Sequence, residues 1–188
     1  MLLKESVKLE NIDRGTGVRG PGPGVGHHPV GNLKGFGQVQ RVPLAITFLD
    51  IDKFKDFNTT VGHTNVNRNV LPVFMATVEA QVYGHGCAYR MSGDEYALLM
   101  PNADSALALT FLKSLRSRVA ALTYLGTEKT ITLSAGLCIA DRDCFLTDEE
   151  LLQRSERAMA FAKDKGRNRI AGYTGKLFDD RELAILVE

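Results

Sequence analysis

Residues 44–55 read LAITFLDIDKFK, an apolar run that turns charged at Asp50. Leu44–Leu49 is short, apolar and partly β-branched, which suits a buried strand ending at Asp50. A carboxylate that closes such a run is poorly solvated on one side and well placed to hold a hard cation. It could equally cap a helix.

Downstream, a polar loop is expected first. Then Val66, Val70, Phe74, Val78 and Val82 recur at helical spacing over Asn65–Val82. Pro72 interrupts that helix, so a kink or a late start is expected there. Cys87–Met91 and Glu95–Met100 flank the turn Ser92-Gly93-Asp94 and read as a β-hairpin. Ala103–Leu122 is an amphipathic helix, and Thr130–Ala140 (TITLSAGLCIA) another strand. Thr147 with Glu150 forms a capping box at the start of a last helix, which Gly166 ends. Asn168–Tyr173 makes a final strand. Helices alternating with an antiparallel hairpin predict an α/β (α+β) domain, one mixed sheet covered by helices in two layers.

Upstream, Arg14–Gly37 is dense in glycine and proline and cannot build a core alone. It lacks the spacing of a phosphate-binding loop. Residues 1–43 therefore read as an arm or linker, with His27 and His28 as a surface pair. Residues 44–174 form the domain and 175–188 a tail, in which Asp180–Val187 could make a short helix. The 188-residue chain is 44% hydrophobic and 24% charged, the balance of a soluble protein. Its net charge of +1 supplies no field for nucleic acid or an anionic membrane. The three cysteines lack CxxC spacing, which argues against zinc and a disulfide framework; Cys87 and Cys138 read as buried core thiols. No apolar stretch is long enough to span a bilayer, and a cytoplasmic location is expected.

Four segments carry the chemistry. Asp50-Ile51-Asp52-Lys53-Phe54-Lys55 follows the first strand. Ser92-Gly93-Asp94-Glu95-Tyr96 places two carboxylates in one tight turn, where they repel unless a cation or donors offset them. With Asp50 they could clamp magnesium against triphosphate oxygens; a solvated acidic turn is the plainer alternative. Lys163–Arg169 packs four cations into seven residues. They suit either a helix C-terminus or a phosphate clamp. Asn58–Asn67 is a polar loop whose amides could pair with a base edge or simply form turns.

In this order, DIDKFKDFN, GH, SGDEY, TLSAG and AMAFAKDKGRNR resemble the GGDEF family of diguanylate cyclases from Asp50 to about Ile170. The resemblance implies a GGDEF, polymerase-palm-like fold and bacterial second-messenger signalling. It implies a nucleotidyltransferase in which a homodimer joins two GTP into cyclic di-GMP and releases pyrophosphate. Asp50, the Ile51 carbonyl and Asp94 would hold Mg2+ or Mn2+, with Glu95 as a further ligand or the group that activates the 3′-hydroxyl. Phe54 and Lys55 match the phosphate-loop positions, Ser92 and Gly93 the turn against the nucleotide, and Lys163 and Arg167 the triphosphate clamp. Asn58, His63 and Asn67 match the nucleotide-binding loop.

Five departures stand out. Ser92 replaces the first glycine of the signature, and Tyr96 replaces phenylalanine, a mild change if its hydroxyl finds a partner. Asn67 replaces an aspartate that would accept from guanine. An amide offers one acceptor and one donor, so selectivity is expected to relax toward ATP. The inhibitory RxxD positions are Tyr83 and Gly86, which predicts no product inhibition through that site; the DxLTGLxNR entry segment and its long first helix are also absent, with the glycine/proline-rich arm in their place. These departures leave a competing expectation, a catalytically inactive nucleotide-binding regulatory module, and behind it a plain interaction domain that kept the fold.

Overall fold

The structure, a computed structural model, describes residues 43–141 and 143–188. The glycine/proline-rich arm and the pair His27–His28 lie outside the described residues. Strand β1 (Leu44–Ile51) is buried at all eight positions, which explains why it reads as a continuous apolar run rather than an alternating one. It lies between β3 (Glu95–Pro101) and β4 (Leu133–Ala140), antiparallel to both. Outside β3 sits β2 (Cys87–Arg90), its hairpin partner. On the other side β5 (Ile170–Tyr173) pairs parallel to β4, and β6 (Leu183–Val187) antiparallel to β5. The six strands form one mixed sheet in the order β2-β3-β1-β4-β5-β6.

The alternating faces of β1 decide the layering. Ala45, Leu49 and Ile51 join the main core, under α2 (Leu71–Val82) and α3 (Ser105–Ala120). Leu44, Ile46 and Phe48 face the other way, toward α4 (Asp148–Asp164). The sheet is therefore flanked by helices on both faces, not on one, and the two-layer expectation is corrected to three. A Cβ at Gly136 would stand 2.0 Å from the Ser155 carbonyl oxygen and 2.2 Å from the Met159 nitrogen. The glycine of TLSAG thus lets α4 lie directly on β4.

Several other expectations change. The loop expected after β1 contains helix α1 (Phe54–Val61), with Phe57 buried. The long helix at Asn65–Val82 is segmented into a single turn His63–Asn65, a π-helical turn Val66–Val70 and α2. Pro72 falls in the first turn of α2, and the Leu71 N–H bonds five residues back to the Val66 carbonyl. The wider turn stands directly before the proline, which has no N–H to donate. Residues 180–187 form a 3-10 turn (Asp180–Glu182) and β6, not a helix. β6 finds its hydrogen-bond partners on β5, from Tyr173↔Leu183 to Ile170↔Val187. The Thr147–Glu150 capping box is present at the start of α4. Cys138 is buried, while Cys87 on the edge strand is only half-buried; both are free thiols. Among the described residues, no helix is long and apolar enough to cross a membrane.

Candidate active site

The end of β1 and the β2–β3 turn meet by strand register. Asp50 pairs with Glu95, and the Ile51 N–H donates to the Asp94 carbonyl at 3.1 Å. Two arms of one guanidinium shape the turn: Arg90 Nε donates to the Ser92 carbonyl at 3.1 Å and Nη2 to the Gly93 carbonyl at 2.7 Å. Ser92 Oγ donates to Glu95 Oε2 at 2.8 Å. The serine that replaces glycine is therefore bonded to a carboxylate of the site. Tyr96 is buried beside Phe74, with ring centroids 5.2 Å apart. Its hydroxyl has no partner among the described residues, so the condition for a mild exchange with phenylalanine is unmet.

Asp50 carries the unusual electrostatics. Its side chain is 7% exposed, and Lys163 Nζ, reaching across from the last turn of α4, lies 2.7 Å from Oδ2. Burial pushes the Asp50 pKa up from 3.8 to about 6, the charges of Asp94 and Glu95 add to the rise, and Lys163 opposes it. A buried carboxylate beside two others thus holds a cation, and the cation in place is the ammonium of Lys163. No three His, Cys, Asp or Glu side chains come together as a ready metal cage among the described residues. Asp50 and the nearby carboxylates of Asp94 and Glu95 instead form an oxygen-rich edge. It could bind a hard ion through one or two carboxylates while a phosphate ligand fills the remaining positions, as magnesium prefers.

The remaining candidates lie on the segments that follow β1 and α4. Lys53 turns the chain at φ 54°, and α1 starts at Phe54. Phe54 is half-buried against the main core, and Lys55 is exposed. Asn58 lies on α1 rather than in a loop. His63 opens the single turn after Gly62, and exposed Asn67 sits on the π-helical turn. The side-chain amides of Asn58 and Asn67 make no hydrogen bond among the described residues, in contrast to Asn69, which donates to Asn65 Oδ1 at 2.5 Å. Arg167 is exposed beyond the C-terminus of α4. Asp50, Asp94, Glu95 and Lys163 are thus brought together, with Asn58 and Asn67 on separate elements following β1.

Sequence reasoning missed Asp52 and Arg90. Asp52 is buried and accepts from Thr132 Oγ1 (2.7 Å), Ser134 Oγ (2.7 Å) and the Asn168 N–H (2.9 Å). Its place two residues after Asp50 was a weak signal; its partners, 80 or more residues away, supplied none.

Comparison with known proteins places the site in context. The family model "Diguanylate cyclase, GGDEF domain" matches residues 33–169. The chain is 30% identical over 132 residues to diguanylate cyclase DosC of Escherichia coli, covering 68% of this chain and 28% of that protein. It is 30% identical over 138 residues to diguanylate cyclase DgcM of the same organism, covering 71% of this chain and 33% of that protein. The chain therefore spans about a third or less of these curated relatives. Among solved structures, the active GGEEF domain of a diguanylate cyclase from Vibrio cholerae superimposes with a TM-score of 0.71 at 25% identity, over 78% of this chain and 92% of that one.

Proposed function

The chain belongs to the diguanylate cyclase GGDEF domain family, and on that premise we propose that it condenses two GTP into cyclic di-GMP, with selectivity relaxed toward ATP. The observation that carries the reading is the Asp50–Lys163 pair beside Asp94 and Glu95: a buried carboxylate group whose charge needs a cation. Asp50, the Ile51 carbonyl and Asp94 are the groups to hold magnesium or manganese. The bound ion would neutralise triphosphate charge and polarise the α-phosphate.

The chain's own groups do the positioning that in-line phosphoryl transfer requires. Lys163 exchanges its contact with Asp50 for phosphate oxygens, while Arg167 adds a planar, bidentate donor. Phe54 and Lys55 begin α1, where backbone N–H groups and the lysine suit phosphate. Asn58 and Asn67 offer the base amides that have no partner among the described residues, His63 flanks them, and Gly93 leaves open space for a close approach. Glu95 is the group to take the proton of the attacking 3′-hydroxyl. Each subunit holds one nucleotide, so two subunits must face each other.

One observation favours a second reading, a regulatory module that binds nucleotide without turnover: the Ser92 hydroxyl occupies Glu95 Oε2. Incubating the protein with GTP, ATP and their mixture plus magnesium, with products resolved by mass spectrometry, separates the two. A cyclic dinucleotide that disappears in Asp94→Ala is the expected result. Magnesium-dependent triphosphate binding with no product from a dimeric preparation would overturn the catalytic reading in favour of the module.

A further inference from the structure

Directly after Gly166, at φ 123°, Arg167 and Asn168 both hold a left-handed backbone, with φ of 64° and 48°. Two consecutive non-glycine residues in that region are uncommon and persist only where the surroundings over-determine them. Here all four of their backbone polar groups are held. The Arg167 N–H donates to the Ala162 carbonyl at 3.1 Å, and the Arg167 carbonyl accepts from Arg169 Nε at 3.0 Å. The Asn168 N–H donates to Asp52 Oδ2 at 2.9 Å, and the Asn168 carbonyl accepts from Arg116 Nη1 at 2.5 Å. The Arg167 side chain, by contrast, is exposed and makes no hydrogen bond or ion pair among the described residues.

The two distant anchors are themselves fixed. The Asp52 carboxylate is oriented by Thr132 Oγ1 and Ser134 Oγ, both at 2.7 Å. Arg116, on α3, uses its other arm to bond the Glu188 carbonyl at 2.7 Å. The end of β1, helix α3 and the β4 region thus converge on the two peptides that flank Asn168 and leave the Arg167 guanidinium as the free end among the described residues. A fork that binds phosphate bidentately depends on its direction, and holding it beforehand removes an ordering cost from binding.

We propose that Asp52 and Arg116 are positioning residues for nucleotide binding, acting through the Asn168 backbone to aim the Arg167 guanidinium at the terminal phosphates. This rests on the reading of Arg167 as the triphosphate clamp. An ordinary structural tether would make the same hydrogen bonds but would not couple to Arg167, and coupling is measurable.

The test is calorimetric binding of GTP and of GMP, with magnesium, to the native protein, Arg167→Ala, Arg116→Ala and the double variant, each first checked by thermal unfolding. Arg167→Ala is expected to weaken GTP about tenfold or more, the loss of a charge-assisted contact. Arg116→Ala should weaken GTP about three- to tenfold and leave GMP unchanged. The double variant should bind GTP no more weakly than Arg167→Ala, because residues acting as one unit are not additive. Asp52→Asn repeats the cycle from the other anchor. Arg116→Lys, which keeps the charge and loses the fork, should recover only part of the GTP affinity, and it serves as the variant if Arg116→Ala does not fold. Additive losses, or an equal loss for GMP, overturn the positioning role alone. Native-like GTP binding by Arg167→Ala overturns the clamp reading and the positioning role with it.

Discussion

Replacing Lys163 by methionine keeps the aliphatic stem and removes only the ammonium that faces Asp50. Asp50 is an acid whose pKa is raised on folding, from 3.8 to about 6. Below the lower value the carboxyl is protonated in both states. As pH rises between the two values the unfolded chain ionises first, so the native state binds more protons and stability falls; above the upper value it levels off. At about 1.4 kcal/mol per pH unit, that fall is about 3 kcal/mol. Without Lys163 the Asp50 pKa rises further. A neighbouring opposite charge lowers a carboxyl pKa by about 1–3 units, and we take the lower half of that range because the lysine side chain is 26% exposed and partly screened. Lys163→Met should then cost about 1.3–2.3 kcal/mol at about pH 8 and close to nothing at about pH 5, where Asp50 is largely protonated in both proteins. Urea unfolding at the two pH values, without divalent cations, reads the difference directly. In an Asp50→Asn background the pH dependence of the loss should vanish. An equal loss at both pH values, or one undiminished in that background, would refute the account of Lys163 as the cation that offsets Asp50.

Asn67→Asp should raise the preference for GTP over ATP about tenfold or more, since it restores a charge-assisted acceptor worth about 1.5–3 kcal/mol; an unchanged affinity ratio would remove Asn67 from base selection. Ser92→Gly releases Glu95 Oε2, and turnover should rise about three- to tenfold, the worth of a partly solvated hydrogen bond to a carboxylate, as measured by pyrophosphate release. Tyr96→Phe deletes a buried hydroxyl that has no partner among the described residues and should stabilise the protein by about 1 kcal/mol in denaturant titration, where a loss instead would reveal a bond to that oxygen. Gly136→Ala forces a Cβ against backbone atoms of α4 at 2.0 and 2.2 Å, and should cost about 3 kcal/mol or more of unfolding free energy, because the helix must lift off the sheet.

The parts of the fold legible in the sequence are those whose signal is local. β1 is an unbroken apolar run, the hairpin a turn between two short strands, and the start of α4 a capping box within four residues. Helix α1 is less legible: Phe54, Phe57 and Val61 keep helical spacing, but Asn58, Thr59 and Thr60 between them compete with the backbone and read as loop. The short helix expected over Asp180–Val187 gives way to β6, because the five apolar residues LAILV find their hydrogen-bond partners only where β5 lies beside them.

Asp50 and Asp52 show where the reading of the site stops. They are the same residue type, two positions apart, both buried at the end of one strand. Asp52 accepts three hydrogen bonds, from positions as far as 116 residues along the chain, and is thereby committed to holding the Asn168 loop. Among the described residues Asp50 pairs only with a lysine that a phosphate could draw away, and burial, helped by two further carboxylates, raises its pKa. A carboxylate saturated with neutral donors is a strut, whereas one balanced by a single displaceable cation can exchange that cation for another. Which aspartate takes which part depends on side chains that only the closed sheet brings together.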